Sequence, residues 1–436
     1  MPYEILLDSF LETTSFRSMS IKSFIPAKFN LPVLWFTDLT LPLLLKAVHN
    51  IDSIEVSKED KKILSSLQNE RLIYISNHPT TKEPPIAYNS ANIMNSRFYY
   101  MAAREVFSWG AGFVGDFIQS IGAFSVLAGA PDRESLKAAR EILASKSGKL
   151  VLFPEGEPTS GMNDTLLPFQ PGVSQLGFWG LEDALKADPN AKIHLVLTFV
   201  KYRINASIDW MQKDIDQSLT RMEERLGISK TGKDIVHRFL SVGKRMIERE
   251  EREYGLHIEA DKLEDFDYRL GRMRHAILDN IADKAKIPKW EKEANAIEKL
   301  RKILSTLELV VIGTPDPKGE LPSLEMATWA RKAAIKAYDF ISIQTNYIKE
   351  LPSAERLYEF LSRYENEIFG ETRNRPQKAY VRLTQPFLIN DYYDRYKTDK
   401  KKTVEELTNR LKAEMETLMN EEIQKSTPLF PSNYIF

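Results

Sequence analysis

The apolar positions of the chain change rhythm twice. From Arg71 to Ile204 short apolar runs alternate with amphipathic stretches. Leu72-Ile73-Tyr74-Ile75 reads as a strand that ends at Ser76-Asn77. A helix is expected around Ala87 to Asn95 and a second strand around Phe98 to Met101. Leu136, Ala139, Ile142 and Leu143 recur at helical spacing, with Asp132 placed as N-cap and Gly148 just past the end. Lys149 to Phe153 is a third strand, stopped by Pro154, and His194 to Val200 a fourth. This alternation predicts an α/β fold, a mostly parallel sheet flanked by helices in two or three layers.

Near Ile208 the texture changes. As far as about Arg375 the chain is charged and helical in period, as in Lys244 to Glu253 and Glu293 to Leu307, and only Leu309 to Ile312 hints at a strand. Lys378 to Ile389 then reads as a strand, and Val404 to about Ile423 as an amphipathic helix opened by the capping box Thr403-x-x-Glu406. Three segments are therefore expected. Residues 1–206 form an α/β core with an N-terminal interfacial helix region, 207–375 a long α-helical insertion, and 376–436 a strand and helix that complete the core.

The most apolar stretch is Leu31 to Leu45. A membrane span wants about 20 apolar residues, whereas this stretch is shorter, carries Asp38 and is broken by Pro32 and Pro42. It reads as a core or interfacial helix, with Leu34 and Trp35 as candidate lipid contacts. No secretory pattern opens the chain, so a cytoplasmic, peripherally membrane-associated protein is expected. Lys plus Arg number 60 against 61 Asp plus Glu, which leaves no basic excess for a nucleic-acid partner. Cysteine is absent, which removes disulfides, thiolate nucleophiles and zinc–cysteine sites from consideration. No pair among His49, His194, His237, His257 and His275 has metal-ligand spacing, and no metal site is expected.

Chemistry concentrates in Ser76-Asn77-His78-Pro79-Thr80-Thr81-Lys82-Glu83-Pro84. A histidine just after a strand, with a carboxylate five residues on, can act as a general base. One ring nitrogen takes a proton while the other donates to the acid, which fixes the tautomer and stabilises the imidazolium. No protein nucleophile is required, since the base can activate a substrate hydroxyl. The spacing alone is weak, because with six histidines and about one acid in seven positions nearly one chance match is expected. Asn77, just before the base, is read as a residue that fixes the loop.

The company of this histidine matters more. A Gly-led block, Gly122-Ala123-Phe124-Ser125-Val126, precedes Pro131-Asp132-Arg133, and the strand after it runs into Phe153-Pro154-Glu155-Gly156. This ordered set resembles the glycerolipid acyltransferase family, the lysophosphatidate (1-acylglycerol-3-phosphate) acyltransferase-like enzymes, over roughly Phe29 to Ile204 and again over Ala379 to Met419. The resemblance implies transfer of a fatty acyl group from acyl-CoA or acyl carrier protein to the hydroxyl of a lysophospholipid, without a cofactor. It implies His78 as base and Glu83 as its orienter, with Phe153, Pro154, Glu155 and Gly156 shaping the acceptor site. The family's second block usually supplies a cation for the acceptor's phosphate. Here Ala128 stands where that arginine is expected, and Glu157-Pro158-Thr159 where the third block usually continues Thr-Arg-Ser. Arg104 and Arg133 are the candidate substitutes. These departures open two alternatives, a lipid-binding protein that has lost activity and an acyltransferase for an acceptor without a phosphate.

Overall fold

The computed structural model describes residues 24–127, 132–156, 158, 161–229, 234–311, 313–314, 316, 318–342 and 346–431. Its first helix, α1 (Leu31–His49), is capped by Asn30, whose side chain accepts from the Val33 N–H. Pro32 sits in the first turn, where its missing N–H costs nothing. Then come β1 (Ile51–Val56), α2 (Lys58–Ser66), β2 (Arg71–Ser76), α3 (Glu83–Ile93) and β3 (Tyr99–Ala103). A kinked 3₁₀ segment, Arg104–Gly112, leads into α4 (Phe113–Ser120), β4 (Ala123–Val126) and α5 (Arg133–Ala144). The core continues through β5 (Lys149–Leu152), α6 (Gly172–Ala187) and the long β6 (Ile193–Ile204).

Helices alone follow among the described residues until the sheet resumes. They are α7 (Ile208–Leu226), α8 (Ile235–Glu253), α9 (Phe266–Ala285), α10 (Ala296–Val311), α11 (Leu324–Ser342), α12 (Asn346–Glu350) and α13 (Ala354–Phe369). The chain then returns as β7 (Gln377–Leu383), β8 (Phe387–Leu388), α14 (Tyr393–Thr398) and α15 (Lys400–Ile423).

The sheet runs in the order β1-β7-β6-β2-β5-β3-β4, with β8 paired to β6. Strands β2 to β6 are mutually parallel; β7 and β8 run antiparallel to β6, and β1 is parallel to β7. The fold is thus α/β with a mostly parallel sheet. Alternation along β2 sends Leu72 and Tyr74 into the core under α1 to α3, and Ile73 and Ile75 into the core under α5, α6 and α15. Helices cover both faces, which makes three layers, and explains why β2 reads as a continuous apolar run. The helices between β6 and β7 hold two further cores, one around α9 to α11 and one around α7, α8 and α13. Ile204 pairs with Gln377, so the chain leaves the sheet for this helical excursion and rejoins it at one register position.

Some expectations are corrected. Leu309 to Val311 is the last turn of α10 rather than a strand, because the helix that starts at Ala296 runs on through it. Ile312 lies outside the described residues, as do Ala128, Gly129, Pro131, Glu157 and Thr159. The stretch from Lys378 to Ile389 splits into β7 and β8, with Pro386 and its neighbours leaving the ladder between them. The last long helix begins at Lys400, where Asp399 caps the Lys402 N–H, so Thr403 and Glu406 lie inside it. β1 gave no apolar signal in advance, because Asp52, Ser53 and Glu55 interrupt its run. Asp132 does cap α5, accepting from the Ser135 N–H at 3.0 Å.

Candidate active site

β2 ends at Ser76, but its neighbour β6 runs on for six residues past the pair Ser76–Thr198. Asn77 continues the pairing with its side chain. Its Nδ2 donates to the Val200 carbonyl at 3.0 Å, and its Oδ1 accepts from the Val200 N–H at 2.7 Å. Buried at this position, Asn77 fixes the loop through β6 rather than through a local turn. The next residue, His78, therefore leaves the sheet edge at a set place.

Glu83 opens α3, followed by Pro84 and Pro85 in the first turn, where a carboxylate meets the positive end of the helix. Its carboxylate is almost fully buried and accepts four hydrogen bonds. His78 Nδ1 lies 2.8 Å from Oε2, and the Thr80 N–H donates to the same oxygen at 3.1 Å. The Thr80 and Tyr202 hydroxyls donate to Oε1 at 2.7 and 2.6 Å. Burial alone would raise the pKa of Glu83. The hydrogen bond and charge of His78, with Tyr202 and Thr80, outweigh it and hold the group below the usual carboxylate value. An ionised Glu83 can only accept, so a neutral His78 carries its proton on Nδ1 and keeps its lone pair on Nε2. Tyr202, buried beside that charge, is kept a neutral phenol donor.

Phe153 and Glu155 arrive from the end of β5, the strand next to β2. The Phe153 ring stacks on the imidazole at 4.3 Å between centroids and 21° between planes, which restricts rotation of the base. Glu155 is fully buried; Oε1 accepts the His78 backbone N–H at 2.8 Å and Oε2 the Leu167 N–H at 2.7 Å. Burial pushes its pKa up to about 7 against the pull of those two donors. With both oxygens spent on backbone, Glu155 braces the histidine loop. The Pro154 carbonyl accepts from the Gln170 N–H at 2.7 Å, which closes the turn. Gly156 has φ +81°, a left-handed backbone conformation that strains any residue with a Cβ, which is why glycine suits this turn.

The two candidate cations lie farther along the same sheet edge. Arg104 starts the 3₁₀ segment after β3, two strands from β2 and so about 10 Å away at the usual strand spacing. It is buried, with Nη1 3.4 Å from Ser108 Oγ. Arg133 is exposed in the first turn of α5, beside Lys137, Trp179 and Asp183 on the outer face of α5 and α6.

Residues 48–177 match the Acyltransferase family, that of glycerolipid acyltransferases such as 1-acylglycerol-3-phosphate acyltransferase. The chain carries an acyltransferase domain. No curated protein matches the chain. The acyltransferase match takes in His78, Glu83 and Phe153 to Gly156, but stops before β6 and the helical excursion. Several side chains that complete the candidate site were not singled out in advance. Thr80 lies inside the motif, and its reach back to Glu83 follows the logic of a capping box. Tyr202 lies 119 residues from Glu83, at a separation where no local pattern signals contact. Lys82, half-buried, donates to Gln377 Oε1 at 2.7 Å and faces the Tyr202 ring. The helical excursion also reaches this acyltransferase domain. Arg301 Nη2 donates to the Glu155 carbonyl at 3.1 Å, the Tyr338 hydroxyl to the Pro158 carbonyl, and Asn163 Nδ2 to Glu359 at 2.6 Å.

Proposed function

We propose that the protein transfers a fatty acyl group from acyl-CoA or acyl carrier protein to the hydroxyl of a lysophospholipid, with lysophosphatidate as acceptor and phosphatidate as product. His78 Nε2 takes the hydroxyl proton as the oxygen attacks the thioester carbonyl, and a C–O bond forms. The tetrahedral intermediate collapses with cleavage of the C–S bond, and the imidazolium returns its proton to the leaving thiolate. Glu83 holds the ring and stabilises its positive charge between the two transfers. The observation that supports this most is the His78–Glu83 pair at 2.8 Å, whose acid is buried and held ionised by three further donors.

The test is release of free thiol from acyl-CoA with and without lysophosphatidate. The chain has no cysteine, so a thiol reagent registers only product. Acceptor-dependent release in the wild type that vanishes in His78→Ala is the expected result; equal release in both would defeat the reading. An acceptor without a phosphate is the second reading, favoured by the burial of Arg104 and the outward placement of Arg133.

Attachment to a membrane surface is part of the same proposal. α1 exposes Leu31, Trp35, Phe36, Leu39 and Leu43, and adjoining α4 exposes Phe113. An apolar surface of this extent suits the boundary between headgroups and acyl chains. By length and composition α1 also passes as a span. Two observations favour its lying on the surface. Leu34, Thr37, Leu41 and Leu45 form a stripe packed into the core, and Asp38 is tied to Arg97 and to the Tyr88 hydroxyl.

A further inference from the structure

Arg301, on α10 in the helical excursion, reaches the turn that braces His78. Its Nη2 donates to the Glu155 carbonyl at 3.1 Å, and the side chain of that same Glu155 holds the His78 backbone. Among the described residues the guanidinium has this one partner, and no carboxylate pairs with it. The acid nearest on its own helix, Glu298, is turned toward the helix start, where its Oε2 accepts from the Asn295 N–H and Asn295 Oδ1 accepts from the Glu298 N–H. The other buried arginines of this region are treated differently. Arg269 is bound twice to Glu251, Arg356 is held by Asp164, and Arg375 is shared by Asp214 and Glu365. A partly buried guanidinium that no described carboxylate pairs with retains several N–H donors and a full charge, both suited to a phosphate.

We infer that Arg301 binds a substrate phosphate at the acyl-transfer site, supplied by the acceptor headgroup or by the donor. The inference rests on the acyltransferase reading of His78. The phosphate is neutralised from the helical excursion, outside the segment that matches the family. The Glu155 carbonyl aims the guanidinium and takes one donor, leaving the remaining edge for the ligand.

The full chain is tested as wild type, Arg301→Lys and Arg301→Gln. Binding of glycerol 3-phosphate and of coenzyme A is measured by calorimetry without turnover. Initial rates are taken with lysophosphatidate or monoacylglycerol as acceptor, and with acyl-CoA or a phosphate-free acyl N-acetylcysteamine thioester as donor. Arg301→Gln is expected to weaken one of the two probes roughly 10- to 100-fold, the range for a lost charge-assisted contact. It raises KM for the matching substrate with kcat little changed, and leaves the phosphate-free substrate of that pair unaffected. Arg301→Lys recovers part of the loss. A rise confined to lysophosphatidate assigns the acceptor's phosphate, and one confined to acyl-CoA the donor's. Unchanged binding of both probes overturns the inference. So does an equal fall of kcat with every substrate pair, because Arg301 would then only brace the turn. Should the wild type transfer no acyl group yet bind a probe through Arg301, the acyltransferase reading fails while the phosphate site stands.

Discussion

Within the site, Glu83 decides what His78 can do. Removing the base in His78→Ala is expected to lower kcat by about 10²- to 10⁴-fold, the usual contribution of general-base catalysis. Tyr202→Phe takes away one of four donors to a buried carboxylate, and should lower kcat several-fold with KM unchanged. Its stability should fall by about 1–2 kcal/mol, read from denaturant unfolding. An unaltered kcat in that variant would place Tyr202 outside the catalytic machinery. The pairing of His78 with Glu83 was legible because both residues lie on one turn, where spacing along the chain is also spacing in space. Tyr202 and Arg301 were not legible, because they come from elements brought in by the sheet and by the helical excursion. The backbone contacts of Glu155 were hidden for a related reason. A motif shows which residue types recur together, but which carboxylate oxygen meets which backbone N–H depends on how β2 and β5 are aligned.

Among the elements, α1 carries the sharpest contrast. Its apolar residues looked equivalent in the sequence, yet Leu34 is 2% exposed and Leu39 is 82% exposed. Trp35→Asp with Leu39→Asp is expected to abolish co-sedimentation with anionic vesicles while leaving the melting temperature within a few degrees, since exposed positions contribute little to packing. Leu34→Asp buries a charge in the core and should unfold the domain instead. Vesicle binding that survives the double substitution would refute attachment through this helix. The amphipathic elements of the core were readable because packing on one face imposes a period. The strand β1 was hidden by its polar residues, and the last turn of α10 was mistaken because a short apolar run carries no period of its own.

For the molecule as a whole, the helical excursion and the catalytic core share buried charge. Glu359 on α13 accepts Asn163 and the Tyr347 hydroxyl, and burial together with the nearby charge of Asp164 raises its pKa to about 7. Between about 4.5 and about 7 the folded state keeps a proton that the unfolded chain releases. That contribution to stability is therefore complete below about 4.5 and is lost as pH rises through about 7. Glu359→Gln keeps an acceptor for Asn163 and lets the Tyr347 hydroxyl turn to accept. The drop in melting temperature between pH 5 and pH 8 should shrink in this variant, by an amount equivalent to on the order of 2–3 kcal/mol. An unchanged drop would show that Glu359 does not titrate there. The placing of β7 has a consequence of another kind. It is the strand that joins β1 to β6, yet it is made only after the whole helical excursion has been synthesised. A nascent chain that has reached α13 already contains His78 and Glu83, the proposed base and its acid. Its sheet is still split, with one flank of β6 open to any strand that offers a partner. The order of translation thus places the proposed base and acid in the chain before the sheet around them is complete, and leaves the chain most exposed to mispairing on the ribosome in that interval.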